Sequence, residues 1–303
     1  MKLAVEFPSV AYREGGDAVR RMAKAIEDIG FDHLEVFDHV VMGYDKPERP
    51  TRYPAQMPIL EALMALSHFA AVTEKIGLGT EVLVLPQRQP VLVAKQFQTL
   101  DIFSGGRARL GLGVGWQPSE FEALSENFED RGPRTDEAIE LIRQCWGDET
   151  VDYSGNFYTA EAMAMEPKSP QAGGLPIWIG GSAPRAIERV AKYADGWLAP
   201  ALEDADTVKA CLDTIREGMV RQGRDPEKLG TQMMLTTPPR NPDDKAFYAD
   251  IDRVVERAQE VSDWGIECGA LNATAIFQAG ARSVDQMLEV LADCFQRIKA
   301  EVN

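Results

Sequence analysis

The sequence predicts an α/β protein that folds as a single (β/α)8 barrel, a TIM barrel, with a small hairpin insertion after its fourth unit. Three observations lead to this prediction. Strand-like and helix-like hydrophobic periods alternate along the chain, eight such alternations are present, and no break in composition divides them. The chain of 303 residues has room for a barrel, which needs about 250 residues. We therefore expect residues 1–303 to form one domain.

Eight short strand-like runs supply the predicted barrel strands. In chain order they are Lys2–Phe7, His33–Phe37, Ile76–Leu85, Ala108–Val114, Pro176–Gly180, Asp195–Leu198, Thr231–Thr236 and Cys268–Ala273.

Apolar residues at intervals of three and four predict a helix after each strand. The first helical run, Val19–Ile29, stops at Gly30, which suits the residue that follows a helix. The other predicted helices are Ile59–Val72, Val91–Phe103, Ile139–Trp146, Ile187–Ala194, Thr207–Gln222, Ile251–Val261 and Val284–Ile298.

Three segments fall outside this alternation. Residues 151–170 are predicted to form the hairpin insertion, because aromatic residues flank the turn Ser154-Gly155-Asn156. Val40–Pro58 and Pro238–Lys245 are rich in proline and charge and are predicted to be long loops.

Composition limits the classes of partner. The net charge is −16, which argues against nucleic acid and anionic membrane surfaces, since both attract clustered Lys and Arg. Hydrophobic residues make up 45% of the chain and charged residues 26%, values typical of a globular protein with a sizeable core. The expected partner is therefore a small organic molecule.

The cysteines and the first residues predict the compartment. Four cysteines are scattered without CxxC spacing and are interpreted as reduced thiols. The chain runs directly into its first strand, and no apolar run approaches 18 residues. We expect a cytoplasmic protein without a membrane-spanning segment.

The histidines do not predict a metal site. His33, His39 and His68 do not form the spacings of metal hydrolases, and we expect no metal. A G-x-S-x-G nucleophile elbow is also missing, which disfavours covalent hydrolysis.

Polar groups at the carboxyl ends of the strands are the candidates for chemistry, because a barrel places its catalytic groups there. Asp38-His39 directly follows the second strand, and an imidazole at this position can donate to a ring atom or transfer a proton. The alternative is that His39 only hydrogen-bonds a loop.

A second candidate follows the fifth strand. Gly180-Gly181-Ser182 opens a helix, and Arg185 lies in its first turn. Backbone N–H groups and the helix dipole could cradle a phosphate there. The alternative, an ordinary turn with Ser182 as the N-cap, is compatible with phosphate binding.

The glycines of the fourth strand do not form a dinucleotide-binding motif. In Gly111-Leu112-Gly113-Val114-Gly115, the third glycine of G-x-G-x-x-G would fall on Trp116. These glycines are instead expected to let a cofactor approach the end of the strand, with Trp116 as a wall of the pocket.

The chain resembles the luciferase-like monooxygenases over nearly its whole length, most strongly over Ile76–Trp116 and Pro176–Trp197. The motifs that carry the resemblance are Leu78-Gly79-Thr80, Thr99-Leu100-Asp101, Ser104-Gly105-Gly106-Arg107 and Gly111-Leu112-Gly113-Val114-Gly115-Trp116. That superfamily consists of flavin- and deazaflavin-dependent oxidoreductases built on a (β/α)8 barrel. The resemblance implies that coenzyme F-420 or FMN binds at the mouth of the barrel.

The resemblance also implies roles for individual residues. It gives His39 a catalytic contact with the cofactor ring, with Asp38 orienting the imidazole. It places a non-proline cis peptide between Glu81 and Val82, in a bulge with Thr80 that supports the ring. The cofactor-binding set that it implies is Thr80, Glu81, Val82, Gly115, Trp116, Gly180, Gly181, Ser182 and Arg185.

This sequence departs from its relatives at two of these positions. A small residue is common where Glu81 stands, so the carboxylate either enters the pocket or turns toward solvent. Some deazaflavin-dependent dehydrogenases carry an acidic glutamate where this chain has Trp116, so it does not look like a sugar-phosphate dehydrogenase of that kind. Arg88 and Arg185 are the candidates to meet the carboxylates of the F-420 tail.

Three functions remain open at the level of the sequence. The first is F-420-dependent hydride transfer to or from a small organic substrate. The second is an FMN-dependent monooxygenase that receives reduced flavin from a separate reductase, and the third is a flavin-binding protein without catalytic activity. Relatives are often dimers, so a homodimer is an open expectation. The substrate pocket is expected to include Phe7, the Val40–Pro58 loop, Trp116 and the loops after strands seven and eight.

Overall fold

The computed structural model describes residues 1–201, 204–236 and 246–302. Within them, eight parallel strands close into a barrel, because the third strand pairs with the second on one side and with the fourth on the other. The predicted (β/α)8 barrel is thus confirmed. The predicted loop Pro238–Lys245 lies outside the described residues.

The third barrel strand is interrupted and is therefore described as two segments, β3 and β4. The barrel strands are β1 (Lys2–Glu6), β2 (His33–Val36), β3 (Gly77–Thr80), β4 (Leu83–Val84), β5 (Ala108–Gly113), β8 (Ile177–Gly180), β9 (Gly196–Ala199), β10 (Gly230–Met234) and β11 (Cys268–Asn272).

Helices surround the barrel on the outside, as the alternating periods predict. They are α1 (Gly16–Ile29), α2 (Ala62–Ala70), α3 (Pro90–Ser104), α4 (Pro118–Ala123), α5 (Arg131–Gly147), α6 (Pro184–Tyr193), α7 (Ala205–Arg221), α8 (Ile251–Asp263), α9 (Ala273–Ala279) and α10 (Val284–Glu301). The short helices α4 and α9 were not predicted, because fewer than two turns give too short a period to recognise.

In the first helix, the apolar residues that predict the helix are also the ones that pack against the barrel. Met22 and Ile26 lie one turn apart on α1 and are fully buried, and burying each such side chain stabilises the fold by roughly 1.5–3 kcal/mol. Gly30 ends the helix in the left-handed conformation, with φ at 112°. A β-carbon at Gly30 would also lie 2.9 Å from the ring of Phe295 on α10, so glycine is required there for two reasons.

The hairpin insertion is present. β6 (Val151–Ser154) and β7 (Thr159–Met163) form a separate antiparallel pair. Glu137 of α5 accepts hydrogen bonds from the backbone N–H groups of Asn156 and Phe157, which fixes the turn against the barrel helices.

Other expectations can be compared directly with the structure. All four cysteines are free, and Cys145, Cys268 and Cys294 are buried. Among the helices of the described residues, none is long and apolar enough to cross a bilayer.

Candidate active site at the carboxyl ends of the strands

A cavity of about 350 Å³ opens at the carboxyl ends of the barrel strands. Its lining includes eight of the residues singled out in the sequence, namely Asp38, His39, Glu81, Val82, Gly115, Trp116, Gly180 and Gly181. The lining does not include Thr80, Ser182 or Arg185.

His39 is held by a partner that the sequence analysis missed. Its Nδ1 lies 3.0 Å from Oε2 of Glu120, and both side chains are buried. Glu120 Oε1 also accepts a hydrogen bond from the backbone N–H of Val40 at 2.6 Å. Burial alone would raise the pKa of Glu120, but its hydrogen bond and charge interaction with His39 bring that pKa below its usual value.

Glu120 lies in α4, directly after the fourth barrel strand. The signal for this helix was Pro118 followed by an acidic residue two positions later, a common helix start. Recognising it would have placed a carboxylate near the barrel mouth, although not beside His39.

The expected role of Asp38 is wrong. Its carboxylate does not orient His39 but forms a two-pronged ion pair with Arg88, with N–O distances of 2.7 and 2.8 Å. The planar guanidinium matches a carboxylate in this way, and Asp38 also accepts a hydrogen bond from the N–H of Val84. Burial raises the pKa of Asp38, and Arg88 opposes that rise. Arg88 is therefore engaged within the protein, and the suggestion that it binds a cofactor tail is corrected.

The bulge in the third strand is present where the resemblance placed it. The peptide bond between Glu81 and Val82 is cis. Thr80 is fully buried behind the bulge, and its hydroxyl donates to the carbonyl oxygen of Gly111 at 2.5 Å.

The glycines beside the bulge make room for the bulge itself. A β-carbon at Gly111 would lie 1.8 Å from the carbonyl oxygen of Thr80. β-Carbons at Gly113 and Gly180 would lie 2.6 and 2.8 Å from the methyl groups of Val82. The expectation that the fourth-strand glycines admit a cofactor is corrected at Gly111, where the bulge fills the space, whereas Gly113 and Gly115 line the cavity.

Glu81 points into the barrel rather than toward solvent. It lines the cavity, and its Oε2 accepts a hydrogen bond from Nε2 of Gln232 at 2.9 Å. Glu6 also lines the cavity, and Asn272 Nδ2 donates to its Oε2 at 3.4 Å. We call Glu6, Glu81, Gln232 and Asn272 the cavity floor. The sequence left the direction of Glu81 open and did not single out Glu6.

Burial changes the acidity of the floor. It raises the pKa of Glu81 to about 8, and the charge of Glu35 adds to that rise. Burial also raises the pKa of Glu6 well above its usual value, with a further contribution from Glu81. Both carboxyl groups therefore hold their protons to higher pH than an exposed glutamate does.

Aromatic rings form another part of the lining. The ring of Trp116 lies 5.4 Å from that of His39 and 5.9 Å from that of Tyr53. The guanidinium of Arg52 lies 5.1 Å from the centre of the Trp116 ring. Arg52 and Tyr53 come from the predicted loop Val40–Pro58, which does contribute to the pocket. Phe7, expected in the same pocket, is fully buried and is not part of the lining.

The start of α6 borders the cavity through its glycines. Gly180 and Gly181 line the cavity, and the N-cap of the helix is Ala183 rather than Ser182. No side chain of the described residues caps this helix end. Pro184 has no N–H, and the N–H groups of Gly181 and Ala186 donate to backbone carbonyls, so Ser182, Ala183 and Arg185 supply the N–H groups that face an anion here. Arg185 is exposed and lines a separate cavity of about 380 Å³. Within the described part of the chain, no group of three or more residues could hold a metal ion.

Comparison with known proteins gives the family. The family model described as luciferase-like monooxygenase matches residues 3–268. The chain belongs to the luciferase-like monooxygenase family. The resemblance found in the sequence is thereby confirmed.

The similar members of this family include proteins with and without a named activity. An uncharacterised protein of Mycobacterium tuberculosis is 32% identical over 184 residues, which is 58% of this chain and 63% of that protein. The chain thus spans less than two thirds of this curated relative. An F420-dependent glucose-6-phosphate dehydrogenase of Nakamurella multipartita is 30% identical over 278 residues, covering 85% of this chain and 75% of the relative.

A solved structure agrees with the fold. An F420-dependent secondary alcohol dehydrogenase, solved in complex with an F420-acetone adduct, aligns with a TM-score of 0.79 over 98% of this chain and 99% of its own. The identity is 19%, so this similarity supports the barrel architecture and not a shared substrate.

Proposed function

We propose that this protein is a coenzyme F-420-dependent oxidoreductase that transfers a hydride to or from a small organic substrate in the cavity at the strand ends. The observation that carries the proposal is the buried His39–Glu120 pair at the cavity, in a chain of this family with an F420-dependent relative along 85% of its length. A buried imidazole fixed by a carboxylate can hold or move a proton beside a bound ring.

The residues present fit such a cofactor. The cavity volume of about 350 Å³ lies in the range of small-molecule sites. Its donors are of the kinds that a tricyclic ring with a phosphate requires, namely an imidazole, aromatic faces and backbone N–H groups at an uncapped helix start. Bound F-420 would supply or accept the hydride, and the protein would supply position and electrostatics.

Each part of the site has a proposed task in this reaction. His39 contacts the ring and holds a proton there, and Glu120 fixes the orientation of its imidazole. The bulge at Glu81 and Val82 supports the ring, and Trp116 closes one side. The backbone at Gly180-Gly181-Ser182 binds the phosphate, where the helix dipole favours an anion despite the net charge of −16.

A second candidate function is an FMN-dependent monooxygenase supplied with reduced flavin by a separate reductase. The family description favours it, since the matching model is that of luciferase-like monooxygenases. The same cavity would then hold FMN, and the chemistry would differ in the cofactor.

A cofactor titration tests both candidates. Purified protein is mixed with F-420 or FMN and binding is followed by fluorescence, for the wild type and for His39→Ala. We expect F-420 to bind, and His39→Ala to lower its affinity or the turnover at least tenfold, about 1.4 kcal/mol. Arg221→Ala is the matched control and should bind F-420 like the wild type, because Arg221 is an exposed residue of α7 outside the cavity.

The possible outcomes separate the candidates. Binding of FMN alone supports the monooxygenase, and binding of neither cofactor refutes both. Unchanged kinetics in His39→Ala would assign the histidine to loop structure.

We also propose a homodimer. Four large apolar side chains on helices α2 and α3 are exposed, namely Met64, Leu92, Ile102 and Phe103. Such side chains are candidates for a buried surface between two copies of the chain. Sedimentation of the purified protein measures this, and a monomer at all concentrations would refute it.

A further inference from the structure

The cavity floor carries two carboxyl groups that no basic side chain contacts within the described residues. Glu6, at the end of β1, is 6% exposed, and Glu81 in the bulge lines the same cavity and interacts with the charge of Glu6. Each accepts one hydrogen bond, from the side-chain amide of Asn272 or Gln232. The second oxygen of each carboxyl group has no donor among the residues that the structure describes, although both residues line the cavity.

The barrel interior beneath the floor contains too little positive charge for both groups to ionise. Arg109 donates to Glu35 Oε1 at 2.6 Å and to the amide oxygen of Gln232 at 2.5 Å. The amide of Gln232 is thereby turned so that its nitrogen faces Glu81. Arg109 thus meets Glu35 directly and reaches Glu81 only through a neutral amide.

A charge count shows the consequence. With Arg109 ionised and Glu6, Glu35 and Glu81 all ionised, this region would carry a net charge of −2. Burial and Arg109 lower the pKa of the nearby His33 to about 3, so that the imidazole adds no positive charge. An unpaired buried charge costs several kcal/mol, and a carboxyl group avoids that cost by keeping its proton.

We propose that Glu6 and Glu81 form a carboxyl pair that keeps at least one proton at neutral pH and donates it as a hydrogen bond to a carbonyl oxygen of the molecule bound in the cavity. A neutral O–H group suits a carbonyl oxygen, which can only accept a hydrogen bond. The donor exists whatever the reaction, whereas its use toward a ketone or aldehyde substrate depends on the function proposed above.

The neighbouring strands act on the charge of Glu81 in both directions, and the net effect favours its protonated form. Its pKa is raised to about 8, mainly by burial and also by the charge of Glu35 on β2. Arg109 on β5 acts in the opposite direction. Glu6 on β1 and Cys268 on β11 also interact with the charge of Glu81.

Infrared spectroscopy of the ligand-free protein tests the donor without any enzymatic activity. A protonated carboxyl group has a C=O stretch that a carboxylate lacks. The wild type should show this band at neutral pH and lose intensity as the pH rises through about 8. Glu81→Gln and Glu6→Gln should each weaken or shift it. Glu120→Gln is the matched control and should keep the band, because His39 holds that buried carboxyl group ionised.

Acetone tests the acceptor. In the wild type loaded with F-420, acetone should shift the carboxyl band, and Glu81→Gln should reduce the shift. A wild type without a protonated carboxyl band, or a band that both glutamine variants at the floor keep unchanged, overturns the carboxyl pair. If acetone does not shift the band, the proposal that the carboxyl group donates to a carbonyl oxygen is overturned. Failure of F-420 to bind refutes the proposed function but leaves the band of the ligand-free protein in place.

Discussion

The cavity has two sides that carry the same kind of side chain with different neighbours. On the side of His39, each acid pairs with a nitrogen base. Asp38 forms an ion pair with Arg88, and Glu120 pairs with the imidazole of His39. On the cavity floor, the two carboxyl groups accept hydrogen bonds from side-chain amides alone, as far as residues 1–201, 204–236 and 246–302 are concerned. The partners, and not the residue types, therefore decide which acids are fixed by charge and which hold protons.

This difference suits a site that needs both a rigid frame and a proton. The ion pair between Asp38 and Arg88 ties the end of the second strand to the helix that begins after the third. The floor contributes groups whose charge changes near neutral pH. Substitutions on the two sides should accordingly differ in the size and in the pH dependence of their effects.

The largest effect is expected on the side of His39. Asp38→Ala would leave the guanidinium of Arg88, which is 13% exposed, with a hydrogen bond to the carbonyl oxygen of Val84 at 3.4 Å and a distant contact to Glu61 at 3.8 Å. Removing one partner of a buried pair costs about 3–5 kcal/mol, so the free energy of unfolding in urea should fall by about that amount.

The control for this prediction is Glu122→Ala. It breaks an ion pair with Arg49 in which both side chains are exposed, so it should change stability by about 1 kcal/mol or less. Equal losses in the two variants would mean that the pair of Asp38 and Arg88 is not effectively buried.

Opposite pH dependences should separate the floor from the His39 side. The folded-state pKa of Glu81 is raised to about 8, so its contribution to stability is full below its unfolded pKa and is lost as the pH rises toward 8. Compared with the wild type, Glu81→Gln should therefore gain stability between about pH 5 and about pH 9, by on the order of a few kcal/mol.

Glu120→Gln should behave in the other direction. The folded-state pKa of Glu120 is lowered, so its contribution is present above the unfolded pKa and is lost as the pH falls. The deficit of Glu120→Gln relative to the wild type should thus shrink in acid. Thermal unfolding across the pH range measures both variants, and parallel curves would remove the distinction between the two sides.

The two sides also differ in how well the sequence predicts them. The barrel, the hairpin and the positions of His39 and Glu81 follow from local signals, because hydrophobic periods and strand ends are local properties. The residues that pair with the acids and with His39 do not follow from local signals. Glu120 is 81 residues from His39, and Arg88 is 50 residues from Asp38. Only the closure of the barrel brings these residues together.

Glu6 was missed for a different reason. Glu6 is one polar residue in a short strand, and such a residue normally faces solvent. Its burial follows from the position of β1 between β2 and β11, with both faces of the sheet covered. Its partner Asn272 is 266 residues away. A local pattern cannot show that two distant strand ends enclose the same carboxyl group.

The smallest effect is expected where the bulge presents Glu81 to the floor. Gly113→Ala would place a β-carbon 2.6 Å from Val82, so the bulge has to shift at a cost of about 1–3 kcal/mol. The shift should also loosen the contact between Glu81 and Gln232 and change the infrared band of the floor. Gly147→Ala is the matched control, since a β-carbon there meets nothing within 4 Å and should stabilise the protein by about 0.4–1 kcal/mol. If Gly113→Ala were instead as stable as the wild type and kept the infrared band, the packing of Val82 against the strand would not determine the position of Glu81.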